Sequence, residues 1–198
     1  MNILDPFSKL NVMINKESKM VPTTEECFLL LKKFQVPGHV IAHNRRVHGV
    51  ALYLCRLLNR HGERLDQAQV EAGSLLHDIA KVRTLETGGN HAQAGARLLW
   101  ELGFPEVAEI VRQHVVLDTG TDHGRITEAE VVHYADKRVK HTTIVPLGER
   151  FQDLKRRYGK SPEAMAWLED LERRSLLLEE RLFQKIPVLP EALSEVVE

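Results

Sequence analysis

Ser74-Leu75-Leu76-His77-Asp78-Ile79-Ala80-Lys81 sets two metal-ligating side chains back to back in an otherwise apolar helical stretch. An imidazole and a carboxylate buried there are costly unless something binds them, because desolvated polar and charged groups need partners. The pair alone is a weak signal. It gains force because other histidines and one aspartate recur at positions able to converge on it.

Outward from this stretch, nearly everything from Thr23 onward reads as helix. Thr23 and Thr24 cap a first helix to about Phe34, and Val36-Pro37-Gly38 separates it from a second running from about His39 to Arg60. Asp66 opens a third that is expected to reach about Lys81, and Gly88-Gly89-Asn90 turns into a fourth, from His91 to Leu102. Pro105 lies in the first turn of a fifth. After a polar loop over 118–124, Thr127 and Glu130 form a capping box for a sixth helix to about Val139. Pro146 begins a seventh, and Ser161-Pro162-Glu163 opens a long charged helix toward Gln184. No strand alternation and no repeat stands out, so the expected class is all-α: a single-domain helical bundle with a long C-terminal helix. Residues 1–22 read as an N-terminal extension, 23–140 as a metal-binding core, and 141–198 as a helical region packed on that core.

Each residue advances a helical side chain by about 100°. Val40, Val47, Val50 and Leu54 form an apolar stripe, and His43 falls on it, whereas His48 lies about 140° away. Val70, Gly73 and His77 share a side of the third helix, with Gly73 leaving room for a neighbouring helix. His91 shares a stripe with Gly95, Leu98 and Leu102; His114 follows Val107, Ile110 and Val111; Asp136 stands between Val132 and Val139. Any one of these has an ordinary reading as a satisfied core or boundary residue. Six together, His43, His77, Asp78, His91, His114 and Asp136, all phased toward apolar stripes of five consecutive helices, are hard to bury except around a cation. The set lacks thiolate, which argues against structural zinc and suits iron, manganese, cobalt or zinc in a catalytic role. Six ligands exceed the needs of one ion with an open position, so two divalent ions are expected.

Composition narrows the partners. With 43% hydrophobic and 28% charged residues the chain reads as globular, and a net charge of −1 gives no general pull toward nucleic acid, which is not expected as a partner. No apolar run approaches the roughly 20 residues that cross a bilayer, so no membrane is expected and cytoplasm is the expected location. Cys27 and Cys55 lie among apolar residues without a CxxC pairing and read as buried thiols. The long last helix is expected to pack within the chain, a homodimer being the alternative.

These residues resemble the HD-domain superfamily of metal-dependent phosphohydrolases, whose pattern is H…HD…D. His43-Asn44-Arg45-Arg46-Val47 is similar to its opening motif, Leu76-His77-Asp78-Ile79-Ala80-Lys81 to its HD step, and Tyr134-Ala135-Asp136-Lys137 to its closing aspartate. His91-Ala92-Gln93-Ala94-Gly95-Ala96 and His114 resemble the added histidines of binuclear members, and the overall look is that of small bacterial HD proteins that include a dinucleoside tetraphosphate hydrolase branch. The resemblance covers roughly 24–140. It implies that His43, His77, Asp78 and Asp136 hold one metal and that His91, His114 and Asp78 hold the second. The chain has Ala80 where one subset has glycine, and it lacks the signature of cyclic-di-GMP phosphodiesterases.

The expected activity is hydrolysis of a phosphoester or phosphoanhydride of a nucleotide or related small molecule by metal-bound hydroxide; the alternative is a non-catalytic module that binds a nucleotide or a partner protein. Asp78, Lys81 and Arg46 are the expected catalytic groups, and Lys81, Arg46 and Lys137 the expected phosphate binders. Lys81 and Arg46 each lie one turn from a proposed ligand, where a salt bridge to a ligand carboxylate is the competing role. Arg138 is expected to face solvent, and Trp100, Trp167 and Phe151 to pack the core. His39, His48, His61, His123, His133 and His141 match no phase or motif and read as surface or boundary residues, with His123 in its loop the foremost exception. The basic run from Lys137 to Tyr158 has no substrate assignable from spacing.

Overall fold

The structure is a computed structural model that describes residues 21–87, 89–118 and 124–196. Most of the N-terminal extension, Gly88 of the glycine turn and the loop histidine His123 lie outside these residues. Helix α1 (Thr24–Lys33) starts at a capping box in which the Thr23 hydroxyl accepts from the Glu26 amide and the Glu26 carboxylate accepts from the Thr23 amide. Helix α2 (Gly38–Arg60) follows, with Pro37 before its first turn. Asp66 caps α3 (Gln67–Leu76), which ends earlier than the expected Lys81. Residues 77–80 form tight turns, with Ile79 N–H on the Leu76 carbonyl and Lys81 N–H on that of Asp78, before α4 (Lys81–Thr87). The apolar pattern runs on through Ile79 and Ala80, both buried within the turns, so the stop was hidden in the pattern.

Asn90 caps α5 (His91–Glu101), Pro105 opens α6 (Pro105–Gln113), and a Thr127–Glu130 capping box starts α7 (Glu128–Lys137). Strands β1 (Val139–Lys140) and β2 (Thr143–Ile144) then form a small antiparallel hairpin, turned by His141 at φ 55° and Thr142. Two-residue strands carry too little alternation to be read from sequence. Helices α8 (Leu147–Tyr158) and α9 (Pro162–Phe183) lead to a 3₁₀ turn and a last short helix, α10 (Leu193–Val196). The molecule is all-α apart from the hairpin.

The core falls into two clusters. One gathers Val47, Val50 and Leu54 of α2, Val132 and Tyr134 of α7, Phe151 of α8, and Leu171, Leu178 and Leu182 of α9. The other gathers Leu30 and Leu31 of α1, Val40 of α2, Leu75 and Leu76 of α3, Leu99 of α5, and Val107 and Val111 of α6. His43 lies between Val40 of one and Val47 of the other, at the seam between the clusters. Helix α9 buries its Leu168, Leu171, Leu178 and Leu182 stripe within the chain.

Arg138, expected in solvent, is instead buried. Its guanidinium donates to the Val145 and Pro190 carbonyls, to Tyr134 and to Glu179, fastening α7, the hairpin, α9 and the terminal turn. Trp100 and Trp167 also depart from expectation, at 68% and 44% exposure, while Phe151 is fully buried. Cys27 and Cys55 are buried free thiols.

Helix α3 meets α6 at Gly73, where an added Cβ would lie 2.6 Å from Ile110 Cγ2. Overpacking of this kind costs about 1–3 kcal/mol, and valine has weak helix propensity to set against it. Gly73→Val is therefore expected to lower the urea midpoint by an amount equivalent to about 2 kcal/mol or more; a midpoint equal to that of the parent would contradict the close approach.

Candidate metal centre

The break after α3 is what presents the pair. With His77 at the helix end and Asp78 in the following turn, both side chains enter the interior, at 0% and 1% exposure. His43 arrives from α2, His91 from the first position of α5, His114 from the end of α6, and Asp136 from α7. Their ligand atoms gather into two groups, His43 with His77 and Asp136, and Asp78 with His91 and His114, each group lying within 4.8 Å. The imidazoles of His43, His77, His114 and His91 succeed one another with ring centroids 5.4, 5.1 and 5.0 Å apart.

Asp78 spans the two groups. Its Oδ1 lies 3.3 Å from His91 Nε2 and 3.7 Å from His114 Nε2, while Oδ2 lies 3.5 Å from His77 Nε2. Asp136 Oδ1 lies 3.1 Å from His43 Nε2 and 3.7 Å from His77 Nε2.

The proton positions follow from the acceptors. Nδ1 of His43 faces the His141 carbonyl at 2.8 Å, Nδ1 of His77 that of Ser74 at 2.7 Å, and Nδ1 of His114 that of Val111 at 2.7 Å. A carbonyl can only accept, so each Nδ1 carries hydrogen, which leaves Nε2 as the ring nitrogen able to offer a lone pair inward to a cation. At His77 the lone pair meets another acceptor, since His77 Nε2 and Asp78 Oδ1 are both buried with no hydrogen-bond partner, while His114 Nε2 lies 3.1 Å from His91 Nε2. Buried acceptors facing one another are repulsive unless a cation stands among them. Histidine nitrogen and carboxylate oxygen, with the far ring nitrogens already fixed by carbonyls, suit divalent transition ions.

Charge at the site is set by its neighbours. Burial alone would raise both carboxyls, but the charge and hydrogen bonding of their partners outweigh it, with the Lys81 ammonium beside Asp78 and the Lys137 ammonium beside Asp136, and hold each well below 3.8. Lys81 Nζ donates to Asp78 Oδ2 at 2.6 Å, and although burial opposes its charge, Asp78 and Asp136 keep it protonated. Lys137, buried, donates to Asp136 Oδ2 at 2.8 Å and to the His114 carbonyl at 3.0 Å. The same carbonyl accepts from His133 Nδ1 at 3.0 Å. His133, expected near the surface, is thus a buried brace for His114. It escaped notice because bracing a backbone carbonyl leaves no motif.

His48 stands apart, against Ser74 Oγ at 3.2 Å and Glu71 at 3.8 Å. Two cavities open on the centre and share Asp78, Lys81 and Arg150 in their walls. One, about 450 Å³, is lined also by His39, His141 and Arg157; the other, about 330 Å³, sets His91, His114 and Lys137 opposite apolar side chains. Arg46 lines neither. Arg150 and Arg157, unassigned in the sequence, line them instead. Their seven-residue spacing with Asp153 between them, one face over two turns, was the available signal.

The HD domain family model matches residues 40–139, half of the chain. This protein belongs to the HD domain family. HD proteins form a superfamily of metal-dependent phosphohydrolases that bind divalent ions, in agreement with the two ligand groups. An uncharacterized protein of Methanocaldococcus jannaschii is 31% identical over 136 residues, 62% of this chain and 79% of that relative. Two tRNA (cytidine(56)-2'-O)-methyltransferases are also similar. That of Picrophilus torridus is 26% identical over 70% of this chain and 43% of its own length, and that of Thermoplasma volcanium 34% over 50% and 28%. No solved structure gives a significant match. No helix among the described residues is long and apolar enough to cross a membrane.

The HD centre also makes the fold acid-sensitive. Burial pushes His77 down to about 3 and His133 well below 6.5. Below their unfolded value, near 6.5, the unfolded chain takes up protons that the folded chain refuses, so stability present above that pH is lost as pH falls. The Tm of metal-free protein is expected to drop steadily between about pH 7 and about pH 5; a flat profile would show that these rings are not buried neutral.

Proposed function

We propose that this chain is a phosphohydrolase that cleaves a phosphoester or phosphoanhydride of a nucleotide or related small molecule, with two divalent ions at its centre. The observation that carries the reading is the Asp78 carboxylate set between two ligand groups, at the junction of two cavities. Iron, manganese, cobalt or zinc suits the nitrogen and oxygen donors. His43, His77 and Asp136 would hold one ion, His91 and His114 the other, and Asp78 both. Once bound, the ions supply Lewis-acid charge to the phosphoryl oxygens and acidify the attacking water.

The chain's own groups do the rest. Asp78 is an ionised acceptor at the point where water must be oriented for attack. Lys81 is protonated, borders both cavities and places a point charge where negative charge builds on the phosphoryl group. Arg150, on the shared wall, supplies the guanidinium contact first expected of Arg46. Lys137 acts as a positioning residue, since its ammonium is engaged by Asp136 and the His114 carbonyl. The tRNA in the names of two relatives supports a nucleotide-type substrate, and because the match covers 43% and 28% of their lengths their methyl transfer is not carried over.

Elemental analysis of protein purified without chelator, with phosphate release measured over a panel of nucleotides, tests the reading. His77→Ala is expected to lower metal content and phosphate release by at least about 100-fold, beyond what loss of an outer partner costs. His48→Ala is expected to leave metal content within about twofold, because its ring faces Ser74 and Glu71. Equal metal loss in the two variants, or no phosphate release with any of the four metals, would overturn it.

A further inference from the structure

The two cavities carry different side chains, aromatic rings in one and an arginine pair in the other, and that difference specifies a substrate. The smaller is walled by Tyr158, Trp167, Leu154, Leu168 and Leu171 in addition to the histidines. Trp167 and Tyr158 are 44% and 58% exposed, a large apolar investment to leave wet beside a metal centre unless a ring covers it. The larger cavity carries Arg150 and Arg157, and these have too little negative charge near them. Asp153, itself buried, is shared by Arg156 at 2.7 Å, Arg157 at 3.1 Å and Arg150 at 3.7 Å. The Arg150 side chain is 13% exposed, yet its buried Nε has no hydrogen-bond partner. A buried donor of that kind is costly until an acceptor reaches it.

We propose that the substrate is a nucleoside diphosphate or longer polyphosphate: its base stacks on Trp167 and Tyr158 in the smaller cavity, and an additional phosphate group binds Arg150 and Arg157 in the larger one. The phosphate chain then crosses the shared wall at Asp78 and Lys81. This rests on the phosphohydrolase reading and sharpens it. A monophosphate would leave the arginines unused, and inorganic polyphosphate would leave the aromatic wall bare. Arg150, Arg157, Tyr158 and Trp167 all lie beyond residues 40–139, so recognition comes from the C-terminal helices and the ligands from the family core.

The test uses the full chain with Trp100→Phe, which removes an exposed tryptophan away from both cavities and leaves Trp167 as the reporter. ADP, AMP and inorganic tripolyphosphate are the probes. ADP is expected to quench Trp167 fluorescence saturably, and Arg157→Gln to weaken ADP binding on the order of tenfold while affecting AMP less. In turnover, Trp167→Ala is expected to raise the KM for ADP on the order of tenfold, at least fivefold more than for tripolyphosphate. Equal KM changes for the two, or ADP quenching no stronger than that by tripolyphosphate, overturns the proposal. Quenching is read without turnover, so absence of phosphate release alongside saturable ADP quenching would sink the hydrolase reading and leave the recognition standing. Tripolyphosphate cleavage with no ADP quenching would do the reverse.

Discussion

The rest of the structure depends on a crowd of inward-facing lone pairs. His43, His77 and His114 are each locked by a backbone carbonyl into the tautomer that turns Nε2 toward the carboxylates of Asp78 and Asp136. Such a cluster is repulsive alone and cohesive around cations, so the positions of five helices are coupled through it. The coupling extends outward through the carbonyls. The His141 turn of the hairpin holds His43, and the His114 carbonyl is braced by His133 and Lys137.

The polar centre sits at a seam because each core cluster can close without it. Val40 and Val47 flank His43 but belong to different clusters, and Ile110 and Val111 divide in the same way before His114. Apolar packing brings the helices together on either side and leaves a line where polar side chains meet. Close approach at Gly73 sets the spacing of α3 and α6, and therefore of His77 and His114. Lys81 and Lys137 balance the two carboxylates, one from the cavity side and one from the buried side.

The C-terminal helices are more than a buttress. Arg138 fastens them to α7 through Glu179 and the Pro190 carbonyl, and that attachment sets Tyr158 and Trp167 beside the centre. A charged residue at the solvent-facing phase of a helix would ordinarily be unremarked. Here the following hairpin and α9 cover that phase, and the guanidinium becomes the joint between the core and the C-terminal helices.

By itself the sequence determined the helical class, the capped starts of α1, α3, α5 and α7, and the six polar residues on apolar stripes. All of these are local consequences of residue type and the 3.6-residue period. It singled out His43 over His48 for the same reason. Only the tertiary structure decided that α3 stops at the HD pair, that His133 and Arg138 are buried, that Trp167 is not core, and that Arg150 rather than Arg46 walls the cavities. Those outcomes depend on which element covers which face. Such coverage is a contact between segments far apart in the chain, and no local pattern encodes it.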